Sequence, residues 1–329
     1  MSFVTLFLTA FCLSTVLTLT ATRILLPILT RHHVGQRILE IGPAWHGEKN
    51  GTPTMGGIGF VIAASLSLIT AGGLLASTLP LLFWRPLLLT FLYALSCAAV
   101  GIVDDMTKFR RDRNEGLTPK QKLVLQTAFT LAYLLLLRIY GHVDTSLYLP
   151  YFDYVLDIGV FYYPFATLLC LGLVNCVNLT DGVDGLAAST SFVYAAFFAI
   201  AATYLREAPT LLLAAAMMGI SFGFLFYNRH PARLFMGDTG SLFLGGMAVG
   251  CGFLSNHPLL ALIAGGVFVL EGISVILQVF FFKTTGKRLF LMAPFHHHLE
   301  KRGFSEGQIV LLFSLLGILF ALLSAPGLS

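Results

Sequence analysis

Two carboxylates, Asp104 and Asp105, stand side by side directly behind the apolar run Leu81–Val103. Adjacent acids at a membrane boundary repel each other and are costly to desolvate. A divalent cation or a positive partner relieves both costs. Mg²⁺ takes oxygen ligands and commonly bridges carboxylates to substrate phosphates. Lys108, Arg110, Arg111, Arg113, Lys120 and Lys122 follow, a run suited to holding a polyanion near lipid headgroups. The plainer alternative is a solvated loop with ordinary positive charge.

Four more segments carry groups that could do chemistry. Asn178-Leu179-Thr180-Asp181-Gly182-Val183-Asp184-Gly185 sets an amide and two carboxylates in a short link. Asp184 could merely form a turn or cap a helix, but one turn suffices, which leaves Asn178 and Asp181 unexplained. Asn228 and Phe235-Met236-Gly237-Asp238-Thr239-Gly240-Ser241 come next, and a helix is expected to begin near Asp238. Its unpaired N–H groups and positive dipole end favour phosphate, and Asp238 either caps it or holds a metal. His296, His297 and His298 are adjacent, so they point in different directions, and they lack the H-E-x-x-H spacing of a zinc site. Phosphate contact, proton transfer or a hydrogen-bonded polar cluster remain open for them. Finally, Lys49 leads into Gly51-Thr52-Pro53-Thr54-Met55-Gly56-Gly57. That segment either approaches a phosphate through its glycines or packs membrane helices closely; it does not fit a Walker A loop. Glu271 falls mid-span, where a carboxylate is either functional or joins helices by hydrogen bonding.

The elements that hold these groups follow from composition. Of the 329 residues, 57% are hydrophobic and 11% charged, against about 25% charged in ordinary soluble domains. So few charges cannot cover a soluble surface, and so much hydrophobicity excludes intrinsic disorder. The five cysteines lie in apolar runs without a C-x-x-C pair, which excludes a disulfide scaffold. Runs of roughly 20 apolar residues match a bilayer core about 30 Å thick. Ten are expected: Phe3–Thr22, Met55–Leu75, Leu81–Val103, Leu123–Tyr140, Ile158–Val177, Leu186–Tyr204, Thr210–Phe226, Phe235–Leu254, Leu259–Phe282 and Ile309–Ala325. The first lacks a basic start and is too long for a signal-peptide core, so it is expected to stay in the mature protein.

An even number of spans puts both termini on one side. Seventeen of the 20 basic residues fall in one set of loops, all but Arg85, Arg138 and Arg206, so those loops are cytoplasmic and both termini face outside. Eleven of the 16 acids and seven of the nine histidines share that face. The expected architecture is an all-α integral membrane protein, a single polytopic domain over residues 1–329, with its active site on the cytoplasmic face. The outer stretch Gly141–Asp157 alternates in character and is expected to hold a short hairpin. Oxygen ligands, cations, glycine turns and histidines at a membrane surface fit phosphoryl transfer between a lipid phosphate and a nucleotide-activated donor, chemistry that rests on positioning and charge neutralisation. A secondary transporter is the alternative from another class. It would place its polar site near the midplane and often show internal repeats; here the polar groups gather on one face and no repeat is evident.

The Gly51–Gly57 segment, the Asp104-Asp105 pair, the Asn178–Gly185 and Phe235–Ser241 segments and Ala293-Pro294-Phe295-His296-His297-His298 occur in this order. Together they resemble the bacterial phospho-N-acetylmuramoyl-pentapeptide transferases, of the polyprenyl-phosphate N-acetylhexosamine-1-phosphate transferase superfamily. The match runs from about His46 to Glu306, and the Ala-Pro-Phe-His-His-His stretch resembles this branch rather than its relatives. The resemblance implies Mg²⁺-dependent transfer of phospho-N-acetylmuramoyl-pentapeptide from UDP-N-acetylmuramoyl-pentapeptide to undecaprenyl phosphate. The products would be UMP and lipid I, for peptidoglycan synthesis, made by a homodimer in the bacterial cytoplasmic (inner) membrane. Its partners would be these substrates and membrane lipid, not nucleic acid. Another polyprenyl-phosphate sugar-1-phosphate transferase is the nearer alternative. By the same resemblance Asp104 would contact and activate the lipid phosphate, Asp105 would support the charged site and Asp238 would bind Mg²⁺. Lys108 and Lys120 would hold phosphates, and Asn178, Asp181 and Asp184 would line the polar site. Lys49, Asn228 and Phe235 would seat the uridine. His296 and His297 would contact the donor or its phosphates.

Overall fold

A computed structural model describes residues 2–32, 51–76, 81–111 and 116–328. Twelve α-helices are present among them: α1 (Phe3–Arg31), α2 (Gly57–Ala76), α3 (Leu81–Arg111), α4 (Pro119–Ile139), α5 (Tyr162–Thr180), α6 (Leu186–Leu205), α7 (Ala208–Asn228), α8 (Gly237–Leu254), α9 (Pro258–Ala264), α10 (Gly266–Thr285), α11 (Phe295–Lys301) and α12 (Glu306–Ser324). Eight of the helical segments are long and apolar enough to cross a membrane: α1, α3 to α7, α10 and α12. The chain is a multi-pass membrane protein. Only 22% of the apolar window of α12 is buried inside the protein, against 78% for α7. Apolar side chains on the outer helices, among them Val16, Leu135, Ile276 and Leu322, therefore point away from the core, as lipid contact requires.

The hub of the bundle is α8, in which every residue from Thr239 to Leu254 is buried. It packs against α3, α5, α2 and α7. Glycines permit this closeness: a Cβ on Gly245 would stand 2.8 Å from the Val174 Cα of α5, and one on Gly246 would stand 2.7 Å from the Ala94 Cα of α3. Small residues at such crossings let backbones touch, which is where membrane helices gain their packing energy.

Two buried pairs fix α4 against α3. The hydroxyls of Thr90 and Tyr133 lie 2.9 Å apart, those of Tyr93 and Thr130 3.1 Å apart, and the two tyrosine rings stack. Thr118 starts α4 with a capping box shared with Gln121, and Pro119 occupies its first turn.

The hairpin expected in Gly141–Asp157 is present as β1 (Ser146–Leu149) paired antiparallel with β2 (Tyr154–Asp157). Two expectations change. The span read as Leu259–Phe282 is not one helix: it breaks at Gly265 between α9 and α10, where two adjacent glycines disfavour helix continuity. Asp104 and Asp105 do not sit in a loop either, since α3 continues two turns past its apolar run to Arg111.

Candidate active site

The extension of α3 brings Asp104, Asp105 and Lys108 against the first turn of α8. Asp105 caps that helix from outside. Its Oδ1 accepts the Asp238 N–H at 3.1 Å, and its Oδ2 accepts the Thr239 N–H at 2.9 Å and the Thr239 hydroxyl at 2.7 Å. The start of α8 thus spends these N–H groups on a carboxylate of the protein rather than holding them free for phosphate. Asp238, relieved of capping, projects its own carboxylate. Oδ1 accepts from Asn178 Nδ2 at 2.9 Å, and Oδ2 accepts from Lys108 Nζ at 3.0 Å and Lys122 Nζ at 3.1 Å. Lys108 also lies 2.6 Å from Asp104 Oδ2, while the Leu117 N–H donates to Asp104 Oδ1 at 2.8 Å. Carboxylate oxygens of Asp104, Asp105 and Asp238 lie within 4.8 Å of one another. Three carboxylates facing two ammonium groups leave a net negative centre. Its donors are all oxygen, with the Asn178 amide and, 2.7 Å from it, the Ser241 hydroxyl alongside. Such a set fits a hard divalent cation.

A second set of contacts holds the loops on the same face. The Asp184 N–H donates to Glu306 Oε2 at 2.9 Å, and Asp184 Oδ2 accepts from the Ala232 N–H at 2.9 Å. His230 Nδ1 lies 3.1 Å from that oxygen and 3.5 Å from Glu306 Oε1. Asp184, His230 and Glu306 line a cavity of about 740 Å³ together with Thr52, Glu300 and Phe304. The glycine segment pairs with the lead-in to α8: the Phe235 N–H donates to the Pro53 carbonyl, and the Gly56 and Gly57 N–H groups donate to the carbonyls of Phe235 and Met236. Gly57 serves packing here, since a Cβ on it would stand 2.3 Å from the Gly240 nitrogen.

The three histidines diverge, as adjacency demands. His296 is fully buried; its backbone N–H donates to Glu271 Oε1 at 3.2 Å and its Nδ1 lies 3.1 Å from Glu271 Oε2. His297 turns toward Glu300, with 2.5 Å between Nδ1 and Oε2. His298 stacks on Phe295, and its Nδ1 accepts the Leu291 N–H at 3.1 Å. Partial burial and the charge of Arg302 lower its pKa, which favours the neutral ring that this accepted bond requires.

Residues 87–255, from α3 through α8, match the model of glycosyl transferase family 4. The chain is 41% identical over 312 residues to the phospho-N-acetylmuramoyl-pentapeptide-transferase of Halalkalibacterium halodurans, covering 95% of this chain and 94% of that one. It is 43% identical to the protein of that name from Shouchella clausii, covering 91% and 90%, and 42% identical to that of Oceanobacillus iheyensis, covering 91% of each. This chain belongs to the phospho-N-acetylmuramoyl-pentapeptide-transferase family.

Of the site residues expected from the sequence, Asp104, Asp105, Lys108, Asn178 and Asp238 are brought together in this family member. Lys120 is not; it is exposed on α4, and Lys122 takes the place beside Asp238. Two positions on a helix differ by about 200°. Lys122 continues the face of α4 that buries Gln126, Thr130, Tyr133 and Leu137, whereas Lys120 faces away from it. The stripe opens on the polar Gln126 and Thr130, so apolar periodicity does not single out Lys122. Asn228 is buried and already committed: its Oδ1 accepts the Gly185 N–H at 3.1 Å and its Nδ2 donates to the Leu234 carbonyl at 3.0 Å. It joins two loops. His296, enclosed beneath the loops, has no open face toward a soluble donor, unlike the partly exposed His297. Asp181 is half-buried at the end of α5, and Phe235 is half-buried ahead of α8. Lys49 lies outside the described residues.

Proposed function

We propose that this chain transfers phospho-N-acetylmuramoyl-pentapeptide from its UDP carrier to undecaprenyl phosphate, releasing UMP and forming lipid I, on the cytoplasmic face of the bacterial inner membrane. The observation that carries this reading is the Asp104–Asp105–Asp238 cluster, threaded by Lys108 and Lys122 at one end of a multi-pass bundle. Among the described residues this cluster joins oxygen donors to two lysine cations, the set that a lipid phosphate and a nucleotide diphosphate would both need. The topology that goes with it is a single polytopic domain of ten crossings, with α9 and α10 together making the ninth and both termini outside. The one-sided distribution of basic residues supports that orientation.

Asp238 would hold Mg²⁺, with Asp104 beside it. When bound, Mg²⁺ supplies charge neutralisation at the transferring phosphoryl group. The chain's own residues do the rest. Lys108 and Lys122 both reach Asp238 Oδ2, so each can turn an N–H toward a phosphate oxygen. Asn178 orients the Asp238 carboxylate, and Asp105 holds the first turn of α8 in place. The lipid phosphate has a second pKa near 6 and is largely dianionic at pH 7. One of its oxygens bonds to the sugar-side phosphorus of the donor as the P–O bond to UMP breaks. Both oxygens of Asp104 are engaged, one by Leu117 N–H and one by Lys108. This supports direct attack over a covalent aspartyl-phosphate, for which a free carboxylate oxygen is required. Phe235, whose backbone is held by Pro53 and Gly56, would stack on the uracil base. His297, partly exposed, would contact the donor, and the cavity beside Asp184 would take part of it.

The deciding assay uses purified protein, undecaprenyl phosphate, Mg²⁺ and a panel of UDP-sugars, with UMP release as the readout. Release with UDP-N-acetylmuramoyl-pentapeptide alone is the expected result. Release with a UDP-N-acetylhexosamine instead would move the chain to another branch, and release with none of the panel would overturn the assignment.

A further inference from the structure

Glu271 has no role in the chemistry above, yet it is fully buried on α10. Its carboxylate accepts the His296 backbone N–H and lies 3.1 Å from His296 Nδ1. The imidazole beyond it is also fully buried, and its Nε2 is pressed against the link between α5 and α6. A Cβ on Gly182 would stand 2.2 Å from Nε2. Gly182 follows Asp181 and lies four residues beyond Asn178, the residue that orients Asp238. A continuous path of packed atoms thus runs from α10 through one ring to the link that carries Asp181 and Asp184, directly after the last turn of α5, which carries Asn178. The other titratable groups near this path are His297, whose ring centroid is 4.2 Å from that of His296, and Cys176 on α5 beside Gly272.

We propose that Glu271 is a positioning residue for the transfer reaction: it holds the proton of a neutral His296 on Nδ1, so that the bare Nε2 edge packs against Gly182 and sets the α5–α6 link. The chemistry requires this sense. A carboxylate beside one imidazole nitrogen fixes the proton there and the ring orientation with it. Neither ring nitrogen makes a hydrogen bond among the described residues, so the charge of Glu271, 3.1 Å from Nδ1, is what separates the tautomers: a proton on Nδ1 sits beside a carboxylate, whereas a proton on Nε2 faces the Gly182 backbone. The latter would also set the Nδ1 lone pair against the Glu271 carboxylate.

The inference rests on the transferase reading for its kinetic consequence but not for its spectroscopic one. In protein labelled with ¹⁵N-histidine and held in detergent micelles, the His296 ring nitrogens are assigned by their loss in His296→Gln. The wild-type protein should show a protonated Nδ1 and an unprotonated Nε2. Glu271→Gln keeps an acceptor for the backbone N–H but loses the charge. It should shift His296 to a tautomer mixture and lower kcat/KM for UDP-N-acetylmuramoyl-pentapeptide at least about tenfold, with KM for undecaprenyl phosphate unchanged. Glu271→Asp should restore the tautomer and part of the activity. A wild-type His296 protonated on Nε2 would overturn the proposal, as would a Glu271→Gln variant with unaltered His296 nitrogens and unaltered donor kinetics. If Glu271→Gln fails to fold, the wild-type spectrum still decides. If no UDP-sugar is turned over, that spectrum still separates this inference from the functional reading.

Discussion

An acid in the first turn of a helix commonly satisfies the helix's own N–H groups, and Asp238 is spared that task because Asp105 performs it from α3. The division of labour explains why two carboxylates so close in sequence to each other have separate duties. Asp105 accepts three hydrogen bonds from the first turn of α8, while Asp104 faces Lys108 and the turn at Leu117. Asp238→Asn removes the charge that collects both lysines and is expected to cut turnover at least about a hundredfold, the scale of one strong electrostatic contribution. UMP release across a Mg²⁺ titration measures it, and near-normal Mg²⁺-dependent turnover in a folded variant would remove Asp238 from the metal site. Lys122→Ala should cost about as much. Lys120→Ala should stay within roughly threefold of the parent, as for an exposed charge; the reverse order would contradict the placement of α4. Asp104→Asn should recover as pH rises through about 6 to about 8, because the lipid phosphate then loses its last proton unaided. A defect that persists at high pH would show that Asp104 does more than assist deprotonation.

At the level of elements, the site depends on how closely α3 and α8 cross. A Cβ on Gly101 would stand 2.3 Å from the Asp238 carbonyl oxygen, so Gly101→Ala must push the two helices apart where the carboxylates meet. Overpacking of this kind costs about 1–3 kcal/mol. Thermal unfolding in detergent should show a lower midpoint for Gly101→Ala and weaker Mg²⁺ activation. Gly73→Ala on α2 is the control: nothing lies within 4 Å of the added Cβ, and alanine is the better helix former, so the midpoint should hold or rise. Equal losses from both would argue against a special crossing at Gly101. The same device, a carboxylate on one element holding the backbone of another, recurs across this face. Asp105 holds α8, Glu271 holds α11, Asp184 holds the Ala232 turn and Glu306 holds the turn at Asp184.

For the whole molecule, ten crossings with both termini outside can be tested by labelling. In a background with all five native cysteines replaced, Ser2→Cys should react with a membrane-impermeant thiol reagent in intact cells once the outer envelope is permeabilised. Lys287→Cys, after α10, should react only when the inner membrane is opened. Labelling of both, or the opposite pattern, would reverse the orientation. The exposed apolar surface of α12 and the enclosed α7 already divide the bundle into lipid-facing and central helices.

Composition and run length by themselves determined the multi-pass helical class, because a chain with 11% charge has no soluble way to fold at this size. Residue type and order also determined which segments carry the chemistry: Asp104, Lys108, Asn178 and Asp238 meet although up to 134 residues separate Asp104 from Asp238 in the chain. What the sequence could not fix was the duty of each polar group, since the same aspartate reads as cap, ligand or base until its neighbours are known. Only the tertiary structure assigned the cap of α8 to Asp105, committed Asn228 to two loop backbones and chose Lys122 over Lys120 by the rotation of α4. It likewise buried His296 with Glu271, two residues 25 apart whose meeting depends on α11 folding back against α10. The physical reason is common to all four cases: apolar periodicity fixes which face of a helix is inward, but the pairing of polar groups depends on the crossing and rotation of separate helices, which close packing around the glycines of α8 decides.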